Sequence, residues 1–357
     1  LRIAILVGGL PPIYNGGTEI STIKIAEYAA KAGHDVHVIA ADGSNEGQVL
    51  YKQLEDNFEI HRVKTIPPHY AHAIFFIPDA IRTLHKIKPD LVHSQAIYVC
   101  PSAFIYKQMT GTPYLLYERG GIYRNYFMCI RVRKLLFSGA MRVIAQTEHQ
   151  KIEILKYVNR DVEVIPNGIN VELFNRIDKK EARTKLGFPQ DKKIVMSVGR
   201  CRVEKNLANF VKVANLKIKD ALFVLVGDGD QLKYLKHLAL NGNVRFVGNV
   251  NNNDVPLYMA CADVLVNTSL SEGFPVSILE GLACGLPIVA PDICGIPEII
   301  KNGINGLLTK PNDYLSTAKA IENLLNADDS VINFISKSNK EKARGYTWES
   351  VIKKLYY

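Results

Sequence analysis

Residues 2–40 read RIAILVGGLPPIYNGGTEISTIKIAEYAAKAGHDVHVIA. The opening apolar run ends at Gly8-Gly9. TEISTIKIAEYAAKAG then carries apolar residues at helical spacing and stops at Gly33, and HDVHVIA alternates polar and apolar residues. A buried strand, a glycine-rich loop, a helix and a second strand predict a βαβ unit. Further along, DLVHSQ, CPSAFIYKQMT, TPYLLYE, RVIAQT and EHQKIEILKYV continue the alternation. Short apolar strands separated by helices predict a mostly parallel sheet covered on both faces. After VEVIPNGINVELFN and the polar stretch RIDKKEARTKLGFPQDKK, a second series begins at IVMSVG. It runs through ALFVLVGDGD, VRFVG, DVLVNTS, PVSILEGLACG, LPIVAP and GLLTK. The expectation is an α/β protein of two doubly wound domains, 1–170 and 171–342. The tail at about 343–357, with RGYTWESVIKKLYY, reads as an amphipathic helix. Two such sheets are expected to face a central cleft, with ligands at the carboxyl ends of the strands.

A chain of 357 residues fits two domains, and 47% hydrophobic with 22% charged residues is ordinary globular composition, which excludes disorder for most of it. The six cysteines form no CxxC pair, which argues against zinc ribbons and fits buried thiols in a reducing compartment. The first apolar run is too short for a membrane span and lacks the form of a signal peptide, so a cytoplasmic location is expected. The formal net charge is +9. Arg119 to Arg160 holds nine basic and two acidic residues, including IRVRKLLFSGAMR. This stretch reads either as a solvated helix face or as a basic surface for anionic lipid or a phosphorylated acceptor, giving peripheral attachment to the membrane. No motif points to nucleic acid.

Four motifs fall at the ends of expected strands. Gly8-Gly9 and Asn15-Gly16-Gly17 form a loop longer than a dinucleotide fingerprint. It is either a structural turn or a contact to a diphosphate or sugar. In VGRCRVEKN, Arg200 and Lys205 follow a strand end, where two cations can clamp a diphosphate and stabilise its charge as it leaves. LVGDGDQ offers Asp228 and Asp230 without a third ligand. It reads as a turn in which Asp230 caps the next helix, and no metal site is expected. The block SLSEGFPVSILEGLACGLPIVAPDICGIPEII places Glu272 in a loop and Glu280 about one turn into a helix, just beyond Gly273-Phe274-Pro275. Backbone N–H groups there suit phosphate or sugar oxygens, and a carboxylate accepts well from vicinal hydroxyls. The pair also admits an acid/base reading, but the clamp beside it favours a nucleotide-sugar.

Together these motifs resemble the retaining glycosyltransferases of family 4, glycosyl transferases group 1, with the GT-B fold. The resemblance runs over essentially the whole chain through Glu-x7-Glu at Leu270 to Ile300, Arg200 with Lys205, the Gly-Gly loop and IPNGIN at 165–170. It implies that Arg200 and Lys205 contact the donor diphosphate, that Glu280 binds the nucleotide ribose, and that Glu272 contacts the transferred sugar. Backbone groups of Gly273, Phe274, Pro275 and Val276 would lie beside that sugar. It further implies that Gly16 and Gly17 line the donor phosphates and acceptor entrance, that Val247 to Val250 hold the base, and that the tail around Trp348 packs on the N-terminal domain. Arg200, Lys205 and Glu272 are the expected catalytic residues. The implied co-substrate is a nucleoside-diphosphate sugar, UDP before GDP, with no tightly bound cofactor. The acceptor is a glycan, a glycolipid or a small hydroxyl compound. Arg119 stands where many members carry histidine. An arginine is no base at neutral pH, so it is expected to orient sugar or acceptor. His93 is either near the cleft or packed, and His69 and His72 flank an acceptor-side loop. The alternatives are a nucleotide-sugar epimerase or hydrolase, or a non-catalytic nucleotide-sugar-binding protein.

Overall fold

The computed structural model describes residues 1–11, 16–42, 58–64, 72–119, 128–175, 177–239 and 244–357, except for the side chains of 42, 64 and 72–75. Asn15, His69, Gly120, Gly121 and the His72 side chain therefore lie outside what is described. The chain forms two compact units. Leu1–Gly168 with Trp348–Tyr357 make the first, and Ile169–Thr347 make the second.

In the first unit the strands are β1 (Arg2–Val7), β2 (Asp35–Asp42), β3 (Phe58–Lys64), β4 (Leu91–Ser94), β5 (Tyr114–Tyr117), β6 (Arg142–Ala145) and β7 (Glu163–Val164). They form one parallel sheet in the order β3-β2-β1-β4-β5-β6-β7. Burial on both faces explains the unbroken apolar run of β1. Ala4 and Leu6 enter the core under the helices His72–Ile87 and Cys100–Thr110, whereas Ile3, Ile5 and Val7 enter the opposite core with the helix Gly17–Lys31. Gly33 stops that helix turn with φ +91, a conformation that suits glycine. The helix Trp348–Tyr356 packs in the second of these cores, through Trp348, Val351, Ile352 and Leu355.

The second unit holds β8 (Lys193–Val198), β9 (Ala221–Val226), β10 (Val244–Gly248), β11 (Val264–Val266), β12 (Ile288–Pro291) and β13 (Gly306–Thr309), parallel in the order β10-β9-β8-β11-β12-β13. Ile194 and Met196 face one core and Val195 the other. The polar stretch 176–193 is not a bare linker. It contains the helix Lys179–Leu186, capped by the Asp178 carboxylate on two backbone N–H groups. The described backbone at 72 belongs to the helix His72–Ile87 rather than to a loop. Among the described residues all six cysteines are free thiols, and only Cys129 is exposed.

Candidate active site

In the second unit the chain winds from β8 through β9 to β10 on one side and through β11, β12 and β13 on the other. The carboxyl ends of β8 and β11 thus flank the point where the strand order reverses, the place where open parallel sheets bind ligands. Gly199 leaves β8 with φ +155, and half-buried Arg200 follows it. A single 3-10 turn, Val203–Lys205, then carries Lys205. This loop is tied to the loop after β11: Leu270 N–H donates to Glu204 O at 2.8 Å, and Thr268 Oγ1 donates to Lys205 O at 3.1 Å. The ties bring together two side chains that are 67 residues apart. Lys205 Nζ donates to Glu272 Oε1 at 2.7 Å. The same oxygen accepts from Ser269 Oγ at 2.6 Å and from Asn267 Nδ2 at 3.2 Å. The Glu272 side chain is 7% exposed and that of Lys205 is 29% exposed, so the pair is fixed yet reachable.

Glu280 is the fifth residue of the helix Val276–Cys284, whose N-terminus has no side-chain cap. Among the described residues its carboxyl has no hydrogen-bond or ion-pair partner, and burial pushes its pKa up to about 7. Glu280 is half-buried, so its carboxyl keeps access to solvent, and an acceptor without a protein partner suits a ligand's hydroxyl groups. The loop after β9 packs tightly on the loop after β8. A Cβ on Gly227 would lie 1.9 Å from Gly199 O, and one on Gly229 would lie 2.7 Å from Cys201 O. Gln231 N–H donates to Cys201 O at 2.8 Å. This backbone tie, and not a carboxylate, holds the start of the helix Leu232–Leu238. Gln231 takes the cap position, and exposed Asp230, expected to cap, does not. Val250 lies half-buried after β10, against the apolar core of this unit. Gly273 is half-buried, Phe274 and Pro275 are buried and Val276 is half-buried, leading into the helix that carries Glu280.

In the first unit Gly16 takes the N-cap position of the helix Gly17–Lys31 in an extended conformation, again without a side-chain cap. Arg119 is not a surface cation. It is 5% exposed, donates to Gln95 Oε1 at 3.1 Å and to Asn167 Oδ1, and its guanidinium stacks 5.0 Å from the Tyr117 ring centre. It therefore leaves the exposed basic surface expected of Arg119 to Arg160. Neighbouring Glu118 is fully buried and accepts from Ile97 N–H at 2.9 Å. His93 is fully buried, with Nδ1 2.6 Å from Tyr356 Oη. Burial pushes its pKa down to about 3, so it is a neutral packing residue.

Sequence reasoning missed the group that holds Glu272. Asn267, Thr268 and Ser269 are all buried at the carboxyl end of β11. Three short polar residues directly after an apolar strand were the available signal. It also missed Gln95 and Asn167, which no spacing connects to Arg119.

Comparison with known proteins adds to this geometry. The family described as Glycosyl transferases group 1 matches residues 178–341, and Glycosyltransferase Family 4 matches residues 15–173. A UDP-Gal:alpha-D-GlcNAc-diphosphoundecaprenol alpha-1,3-galactosyltransferase of Escherichia coli is 35% identical over 51% of this chain and 49% of its own length. A GDP-mannose-dependent alpha-mannosyltransferase of Corynebacterium glutamicum is 25% identical over 99% of this chain and 87% of its own. Among solved structures, the sucrose-phosphate synthase of Thermosynechococcus elongatus superposes with a TM-score of 0.88 at 22% identity, over 99% of this chain and 97% of that one. Anabaena HepE in complex with UDP-glucose gives 0.82 at 21% identity, over 99% and 97%. The fold is GT-B.

Proposed function

Because the chain belongs to the group 1, family 4 glycosyltransferases, we propose that Arg200, Lys205, Glu272 and Glu280 handle a nucleoside-diphosphate sugar and pass its sugar to an acceptor hydroxyl with retention of configuration. One observation carries the reading. At the strand-order reversal of the second unit, a cation–carboxylate pair at 2.7 Å lies on the loops that end β8 and β11, and the helix that follows the second loop bears the unpartnered Glu280 carboxyl. Glu280 accepts from the ribose diol. Arg200 and Lys205 face the diphosphate, and Glu272, with one oxygen already saturated, offers the other to sugar hydroxyls. In the first unit Gly16 and Gly17 open the helix Gly17–Lys31 without a side-chain cap, which leaves backbone N–H groups for an oxyanion. In the reaction the bond from the anomeric carbon to the diphosphate breaks, and a bond to the acceptor oxygen forms on the same face. The acceptor proton ends on the departing diphosphate, whose charge the two cations stabilise.

UDP is the preferred carrier. The E. coli relative is named for UDP-Gal and HepE holds UDP-glucose, while the C. glutamicum relative is named for GDP-mannose. The acceptor is a glycan, a glycolipid or a small hydroxyl compound. No helix among the described residues is long and apolar enough to cross a membrane. The helix Ile130–Gly139 supports peripheral contact instead, because it exposes Ile130, Val132 and Leu135 beside Arg131 and Lys134. The test is calorimetry with UDP, GDP and their sugars, followed by turnover with Arg200→Ala and Lys205→Ala at saturating donor. Each substitution is expected to cut turnover about 10²-fold or more, by analogy with lost oxyanion donors. Near-normal turnover in both removes the clamp.

A further inference from the structure

The amino-terminal halves of β2 and β3 carry a side-chain cluster at the opposite strand ends from the sites described above. Asp35 and His37 on β2 and Glu59 and His61 on β3 share one face of the first unit's sheet, since side chains alternate along each strand. Three of their ligand atoms form a triangle. His37 Nδ1 lies 3.0 Å from His61 Nε2 and 3.5 Å from Glu59 Oε2, and His61 Nε2 lies 3.7 Å from the same Oε2. A tetrahedral site with zinc–ligand bonds of about 2.0–2.2 Å has edges of about 3.3–3.6 Å. All three sides fall near that range before any ion is added.

The outer contacts are also in place. His37 Nε2 lies 3.2 Å from Asp35 Oδ1, and Asp35 is held by Arg2 Nε at 2.7 Å. A carboxylate only accepts, so it directs the imidazole proton to Nε2 and leaves the Nδ1 lone pair facing the triangle. A carboxylate behind a histidine is the arrangement that orients imidazole toward a metal. The side chains of His37 and His61 are 13% and 20% exposed and that of Glu59 is 45% exposed, so an ion from solvent reaches them.

We infer that His37 Nδ1, His61 Nε2 and Glu59 Oε2 form a binding site for a divalent transition-metal ion of the zinc class, with water as the fourth ligand. The ion clamps β3, the edge strand of its sheet, to β2. Its place at the amino ends of the strands gives it a structural part in the first unit. No sequence spacing announces it, because His37 and His61 are 24 residues apart on separate strands.

The test uses the full chain freed of metal by chelation. Zinc is added in equilibrium dialysis with elemental analysis, and cobalt is followed by absorption. The expected result is one ion per chain, with cobalt d–d bands and no thiolate charge-transfer band, which separates this site from the free cysteines. Zinc raises the thermal midpoint of the wild type by mass action. His37→Ala and His61→Ala lose the bound ion, and Asp35→Asn weakens affinity about 10- to 100-fold. His237→Gln, in the second unit, keeps full binding. Far-UV circular dichroism verifies that each variant is folded. Absence of stoichiometric zinc in the wild type overturns the site without reference to any variant. So does wild-type binding in His37→Ala and His61→Ala, or a thiolate band in the cobalt form.

Discussion

Glu280 combines three properties: a place on the helix Val276–Cys284, partial burial, and no bonding partner among the described residues. Burial raises its pKa to about 7. Between the ordinary carboxylate range and that value the folded chain holds a proton that the unfolded chain releases. The stability contribution is therefore complete below the ordinary range and is lost as pH rises through about 7. Glu280→Gln abolishes this dependence, so the ligand-free variant gains thermal stability over wild type at pH 8 and matches it near pH 4. A ribose diol donating to the carboxylate favours the charged form, so nucleotide binding at pH 6 should release a proton. Calorimetry in buffers of different ionisation enthalpy reads that release, and the same proton count in Glu280→Gln would remove the ribose assignment. Lys205 differs in kind. Its ion pair with Glu272 is partly exposed, and Ser269 and Asn267 still hold the carboxylate without it. The Glu272 carboxylate is nearly buried, so losing the pair costs more than the roughly 1 kcal/mol of an exposed one. A large fall in turnover with Lys205→Ala reports chemistry where circular dichroism and the thermal midpoint show the variant folded at the assay temperature. The placement of the two glutamates, one in a loop and one in the helix that follows it, was legible from the glycine and proline between them. The partners of Glu272 were not, since side-chain bonds across a folded loop leave no periodic trace.

At the scale of elements, alternation and glycine stops made the strands of both sheets readable except β3 (Phe58–Lys64), the edge strand, which the sequence reading passed over. The helix His72–Ile87 was obscured by Pro78 in its interior, a residue that ordinarily argues for a break. Its apolar residues Phe76, Ala80, Leu84 and Ile87 nevertheless share one buried face and override the local signal. The helix Ile130–Gly139 was legible as a basic amphipathic segment, yet its charges divide in use. Arg133 lies over the Tyr157 ring at 5.7 Å. Downstream, Arg142 pairs with Glu163 at 2.6 Å, and Arg160 donates to Ala140 O at 2.5 Å. Arg131 and Lys134 remain exposed, next to exposed Ile130, Val132 and Leu135. Basic residues near an anionic leaflet contribute about 1 kcal/mol each, and salt screens them within a Debye length. Co-sedimentation with vesicles containing anionic lipid should therefore be strong at low salt and fade at high salt. It should weaken when Arg131 and Lys134 are replaced by Gln. No sedimentation at low salt would shift the acceptor to a soluble compound.

The whole molecule repeats one design, a parallel sheet between two helical layers, and closes the first unit with the last residues of the chain. The amphipathic tail was readable from its pattern. What it covers depends on contacts 180 residues away in sequence, which patterning does not encode. Trp348 sits on Gly168, where a Cβ would lie 2.4 Å from the indole, so this glycine of IPNGIN makes room for a ring. Arg142 donates to Leu355 O at 2.6 Å and Lys354 O at 2.8 Å, capping the helix end, and Tyr356 Oη meets His93 inside the core. Burial of Trp348, Val351, Ile352 and Leu355 is worth roughly 1.5–3 kcal/mol per side chain at most, or about 6–12 kcal/mol together. That is comparable with the roughly 5–15 kcal/mol that stabilises a typical domain. Ending the chain at Thr347 should therefore leave the first unit unable to fold, while the second, with its own two apolar cores, persists. Limited proteolysis should then degrade residues 1–168 and spare a fragment matching 169–347. In the intact chain Trp348 is the sole tryptophan, so its emission should shift to the red in the same transition that exposes the first unit. A truncated chain whose first unit resists protease, or a tryptophan that becomes exposed well before that unit unfolds, would show that the tail only rests on the sheet and is not part of its core.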